Sequence, residues 1–223
     1  MIRDSHSDRK PTRNEHPSRH CAPSLSDQTV LPPATWQQAP APGDDPLLRA
    51  TQYLGLLREL AVQPSWISLD HIADPPGVAL IWIGHHIHQV NQQLNAVLSD
   101  LLACFEAAQR PRVQIFAAPI ATQAGVDGFC RDRSLTTLMV DPGRIVPADW
   151  PGLVAHELAH AVAGASGHGA EFAQAIAHLC LAQDLPVPAP NADAETLSHW
   201  PPCRRNPDPK QFWLGQTAWQ LEL

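Results

Sequence analysis

The stretch HELAHAVAGASGHGAEF, residues 156 to 172, concentrates the residue types that could do chemistry. His156 and His160 lie four positions apart, and on a helix that separation projects both imidazoles from one face, where two neutral nitrogens can converge on one ion. Glu157 stands beside the first of them. A carboxylate there can take a proton from a water acidified by a metal, and zinc-assisted hydrolysis needs this combination of nitrogen ligands, an open position and a base. Two ligands do not complete such a site. His168 is the candidate third, because Gly164 and Gly167 let one helix stop and the chain turn, so that a histidine at the start of the next helix swings back toward the first. With 12 His and 7 Glu in 223 residues, independent draws give on the order of 0.02 HExxH matches per chain of this composition, so coincidence explains the motif poorly.

Two helices must hold these residues. The segment ADWPGLVAHELAHAVAGA reads as the first, with Asp149 as its cap, Pro151 in its first turn and Gly164 near its stop. GAEFAQAIAHLCLAQ reads as the second, with Phe172, Ile176 and Leu179 on one face. Upstream, GDDPLLRATQYLGLLREL predicts a helix capped by Asp44 or Asp45 with Leu47, Thr51, Leu54, Leu57 and Leu60 as its stripe. HHIHQVNQQLNAVLSDLLACFEAAQ predicts another, with Val90, Leu94, Val97, Leu98, Leu101 and Phe105 in line. Between about 112 and 141 the period shortens. RVQIFAAPI, GVDGFCRD and SLTTLMVD are punctuated by Gly, Pro and Asp and predict a small antiparallel sheet, so the fold class is α+β.

Composition bounds the rest. Residues 1–45 are Pro-rich without an apolar period and are expected to be a disordered tail, in which His6, His16 and His20 are bystanders. A folded domain is expected over 46–185 and a Pro-rich C-terminal extension draped over it at 186–223. The formal charge of −7 comes from 15 Lys+Arg against 22 Asp+Glu, a balance that does not favour a nucleic-acid partner. Cys21, Cys104, Cys130, Cys180 and Cys203 are odd in number and lack CxxC spacing, which argues against a disulfide framework or a zinc ribbon. No stretch of 18 apolar residues and no secretory pattern occurs, so a cytoplasmic protein without membrane contact is expected.

HExxH followed by HGAEF, after GFCRDRSLTTLMVDP, resembles the SprT-like zincin metallopeptidases over about residues 86–182. The resemblance implies a zincin-like core, with helices packed on a small antiparallel or mixed sheet whose edge strand lies along the cleft. It implies Zn2+ on His156, His160 and His168, with Glu157 as general base, and places Glu171 and Phe172 beside the third ligand in packing or support. The implied activity is zinc-dependent hydrolysis of peptide bonds through a Glu-activated, zinc-bound water, with a protein or peptide substrate. The segment at 134–140 is the candidate edge strand for pairing with it. Many members of that family carry a C-terminal zinc ribbon, whereas only Cys203 follows this core. Two other readings stand beside the peptidase: a zinc-stabilised, non-catalytic binding or adaptor protein, and a DNA-associated protease of the SprT type.

Other constellations have simpler readings. His85, His86 and His88 are expected to be exposed or capping at the start of their helix. Cys130 could join a Cys-His-His site but reads more simply as a buried or spare thiol. His178 is expected to be structural or exposed, and Trp200, Trp213 and Trp219 to be packing anchors.

Overall fold

The computed structural model describes residues 33–73, 75–132, 135–164 and 166–217. Its described elements are six α-helices, short 3-10 turns and three strands. α1 (Pro46–Leu60) starts where Asp45 accepts hydrogen bonds from the Leu47 and Leu48 amides and Pro46 fills the first turn. The helix buries Ala50, Tyr53, Leu54, Leu56 and Leu57. The expected stripe is therefore half right: Leu54 and Leu57 face inward, but Leu47 is 43% exposed and Thr51 lies outside. Tyr53 sets the rotation. Its ring is wholly buried against Trp36 and its hydroxyl donates to the Ala117 carbonyl at 2.6 Å, a contact that no stripe of leucines encodes.

α2 (Gly77–Ala103) begins eight residues before the expected start at His85, so the three histidines there lie inside the helix rather than capping it. Val90, Leu94, Leu98 and Leu101 are buried as their period requires. Asn91 joins this helix to the sheet: its side-chain oxygen accepts from the Ala117 amide at 2.9 Å, and its amide donates to the Trp36 carbonyl at 3.2 Å. Trp36 is 1% exposed in a 3-10 turn at Pro33–Gln37. The packed structure thus reaches back past the expected boundary at residue 45, because one large aromatic side chain fills the groove beside α1 and α2. Residues 1–32 of the expected tail lie outside the described residues.

The sheet is mixed, the second of the two forms that the resemblance implies, rather than wholly antiparallel as the strand segments alone suggest. β1 (Val113–Ala117) runs parallel to β3 (Thr136–Val140), and β2 (Gly128–Arg131) runs antiparallel to β3, giving the order β1-β3-β2. Only four residues separate β2 from β3, but the longer segment after Ala117 carries the chain past the middle position to the far edge. β3 takes the centre because Thr137, Leu138, Met139 and Val140 are all buried. The strand expected to receive an extended substrate is thereby paired on both sides, and the outer strand on the cleft side is β2. Ser134, the first residue of that expected segment, lies outside the described residues.

α3 (Trp150–Ala163) and α4 (Ala170–Ala182) pack on each other, and α3 also lies against β2, β3 and α2. The chain after α4 belongs to the core rather than draping over it. α5 (Ala194–Leu197) buries Leu197, and α6 (Pro209–Trp213) buries Phe212 and Trp213. The Trp213 indole donates at 2.9 Å to the buried Asp141, which also accepts from the Ile120 and Gly143 amides and from Arg144. Trp219 lies outside the described residues. No described helix is long and apolar enough to cross a membrane.

Candidate metal centre

α3 presents His156 and His160 from one half-exposed face while Val154, Ala155, Leu158 and Ala159 are buried. Gly164 ends the helix in the left-handed conformation (φ 63°), its amide donating to the His160 carbonyl at 3.0 Å. A residue with a Cβ is strained there. The turn returns His168 to the first helix, and the three histidines offer ligand atoms that all lie within 4.8 Å of one another. Phe172, wholly buried in the first turn of α4, stacks behind them with its ring centroid 5.1 Å from His156, 4.6 Å from His160 and 4.7 Å from His168. The packing role expected of Phe172 is thus present. Glu171, beside it, is exposed.

The ring of His156 is oriented from outside the motif. Its Nδ1 lies 2.8 Å from the Trp200 carbonyl oxygen, a partner that requires Nδ1 to carry the hydrogen and leaves the lone pair on Nε2. Burial, with smaller contributions from His160 and His168, depresses the pKa of His156 to about 4, so the ring is neutral near pH 7. The pKa of His168 is also lowered, first by burial and then by His160 and His199. The Nε2 atoms of His156 and His168 are 3.3 Å apart. Nitrogens at two corners of a tetrahedron around zinc, each bonded at about 2.0–2.1 Å, lie about 3.4 Å apart. The three imidazoles could thus hold a metal ion, and the nitrogen pair of His156 and His168 has the separation that zinc would require.

Glu157 is 4% exposed, and its carboxyl pKa is raised to about 8 by burial and secondarily by Asp127. It fits beneath β2 only because residue 128 is glycine: a Cβ there would stand 2.7 Å from Oε1 and 3.0 Å from Cγ and Cδ. Asp127 is itself paired with Arg205 at 2.6 Å and Arg144 at 3.6 Å.

The histidines and Glu157 open onto a cleft of about 970 Å3, with β2 and Trp66 on one side and residues 198–203 on another. The C-terminal arm reaches this position through Arg204, whose backbone amide, Nε and Nη2 all donate to the Asp149 carboxylate at 2.7–2.9 Å. Asp149 therefore occupies the N-cap position of α3 without capping through its side chain. Arg204 takes both of its oxygens.

Cys130 lines the cleft but stands outside the ligand cluster, and burial together with Glu157 and Asp132 pushes its thiol up to about 12. Such a group is a poor thiolate ligand. His85 and His86 are exposed, His88 is buried with no hydrogen-bond partner for Nδ1, and none of them joins a metal cluster among the described residues. His178 is exposed against Phe105, as expected.

Reading the sequence misses Trp200, Gly128 and Asp127. A backbone carbonyl leaves no sequence signal, whereas a glycine at the head of a strand does hint at a close approach. Comparison of the chain with protein-family models, with curated proteins and with solved structures found no match in any of the three, so the functional reading rests on the residues and geometry of the site.

Proposed function

We propose that the protein is a zinc-dependent metallopeptidase of the SprT-like zincin kind, with zinc held by His156, His160 and His168 and with Glu157 as general base. The observation that carries this reading is three imidazoles whose ligand atoms lie within 4.8 Å of one another, two of them 3.3 Å apart, beside a buried carboxyl in a cleft of about 970 Å3. A purely structural zinc site is closed by a fourth protein ligand and has no use for a base. Here the cluster has three protein donors among the described residues.

Zinc bound there supplies Lewis acidity, which lowers the pKa of water and polarises a carbonyl. The remaining work belongs to the chain. Trp200 holds the His156 ring through Nδ1, Phe172 fixes the packing of all three imidazoles, and Gly128 leaves the Glu157 carboxylate its place. Glu157 takes a proton from the attacking water and returns it to the leaving amine. Burial raises the proton affinity of this carboxyl, which favours holding the proton once it has left the water. β2 is an outer strand of the described sheet and its residues 128–130 line the cleft, which suits an extended polypeptide.

The test is Glu157→Gln, assayed for zinc per chain and for cleavage of an unfolded protein substrate. Near one zinc per chain in both proteins, with cleavage falling by about 100-fold or more in the variant, is expected. Cleavage by the variant at the native rate would remove Glu157 from the mechanism. A native chain that binds zinc and cuts nothing would favour a binding protein instead.

A further inference from the structure

We propose that Trp66, with Phe129 and Val62, forms the specificity subsite of this cleft, accepting a large apolar side chain of an extended polypeptide laid against β2. The inference rests on the peptidase reading and deepens it by naming the class of substrate.

Three observations converge. β2 has one ladder partner among the described strands, β3, and its residues 128–130 line the cleft. An unpaired strand edge is completed by an extended chain rather than by a compact ligand. Secondly, β2 alternates. Gly128 faces Glu157, and Cys130, two residues on, feels the same carboxylate. Phe129, between them, packs edge-on against Trp66 with centroids 5.3 Å apart. A chain bound alongside β2 alternates in the same way, so where one side chain turns toward Glu157 its neighbours turn toward the aromatic pair.

Thirdly, the protein leaves this end of the cleft apolar and partly uncovered. Trp66 is only half-buried and Val62 is 47% exposed, yet both line the same cleft as the three histidines. The wall is also preformed. The Trp66 carbonyl accepts from Ala121 at 2.8 Å, its amide donates to Gln63 at 3.0 Å, and Ile67 pairs with Ile120. Arg131, at the end of β2, donates to the carbonyls of Leu60 and Ala61, which ties the segment carrying Val62 and Trp66 to the strand. A rigid apolar wall captures a side chain without first being ordered. An acidic side chain meets the opposite situation, because the exposed Asp132 lines the same cleft.

The experiment uses the full zinc-loaded chain and a peptide mixture whose cut sites are read by mass spectrometry. Cuts are expected to share a large apolar residue at one fixed position relative to the scissile bond. Replacing that residue by Ala in a single peptide should lower kcat/KM by roughly tenfold or more, chiefly through KM. Trp66→Ala should bring the ratio of the two peptides toward one, and Trp66→Phe, the gentler variant, should retain most of it, with zinc per chain near one in both. No positional preference in the native chain, or a ratio unchanged in Trp66→Ala, overturns the subsite. If the native chain cuts nothing, the peptidase reading fails separately, and the subsite is then read from binding. Calorimetric titration with a Leu-bearing peptide and its Asp-bearing counterpart should show the first binding at least tenfold tighter, and equal affinities overturn the proposal.

Discussion

On one bank of the cleft the three histidines come from a single continuous stretch, residues 156 to 168, whereas the groups that face or steady them come from four separate places: Trp66, Gly128, Trp200 and Arg205. The first bank is assembled by helix periodicity and one glycine turn. The second exists only once the sheet has paired and the C-terminal arm has docked. The positions of the three histidines are thus set by local geometry, while the tautomer of His156 and the room left for Glu157 are set by distant contacts. A change on the first bank should remove the metal site together with its helix packing. A change on the second should leave the ligands in place and alter what they can do.

Phe172→Ala should give the largest effect, because this ring serves both the core and the metal cluster. Deleting a wholly buried phenylalanine costs about 3–5 kcal/mol, and here the cavity would open directly behind all three imidazoles. Denaturant melts should show that loss, with zinc binding weakened in parallel. A variant as stable as the native chain, with undiminished zinc affinity, would break the link between core packing and ligand geometry.

Gly128→Ala tests the opposite bank. The added methyl would meet the flexible end of Glu157 rather than backbone, so the stability cost should be at the low end of overpacking, about 1 kcal/mol. The carboxylate must move to accommodate it, and a base misplaced by about 1 Å can cost up to about 100-fold in rate. Zinc per chain should stay near one while kcat falls. Loss of zinc in proportion to activity would show that β2 supports the ligands as well as the base, which would erase the distinction between the banks.

How much was legible in the sequence follows the same division. His156, Glu157, His160 and His168 could be read from spacing because α3, the Gly164 turn and the start of α4 are all short-range. The long apolar period of α2 was equally legible, but its start was not, since Gly77 to Gly84 carry apolar residues without a polar face or a cap. The sheet was read with the right strands, but the residues alone did not reveal that β1 and β3 run parallel. Whether the chain turns back at once or passes over the middle position depends on which strand the core buries, and Leu138, Met139 and Val140 decide that only against α3 and β1. Trp36 was lost in a proline-rich background whose composition argued for disorder, although one buried indole ring was enough to fix that segment. The Trp200 carbonyl was invisible for a different reason: main-chain atoms are common to every residue, and only tertiary placement gives this one a task.

The smallest expected effect concerns the arm that brings Trp200 to His156. Arg204 meets Asp149 at the head of α3 through three hydrogen bonds, but its side chain is largely exposed, so Arg204→Ala should lower the melting temperature only slightly. The pH dependence is more informative than the size. Hydrogen bonding from the Arg204 side chain, the leading cause, lowers the carboxyl pKa of Asp149 below its ordinary 3.8. A carboxyl depressed by folding stabilises the native state above its unfolded pKa, and that contribution disappears as the pH falls through the lower, folded value. The native chain and Arg204→Ala should therefore differ at neutral pH and converge in strongly acidic buffer, where Asp149 is protonated in both. High salt should narrow the gap as well. A difference that persisted unchanged into acid would mean that Arg204 steadies the arm through its packing and not through its charge, and docking of this second bank would then be insensitive to the electrostatics that surround Asp149.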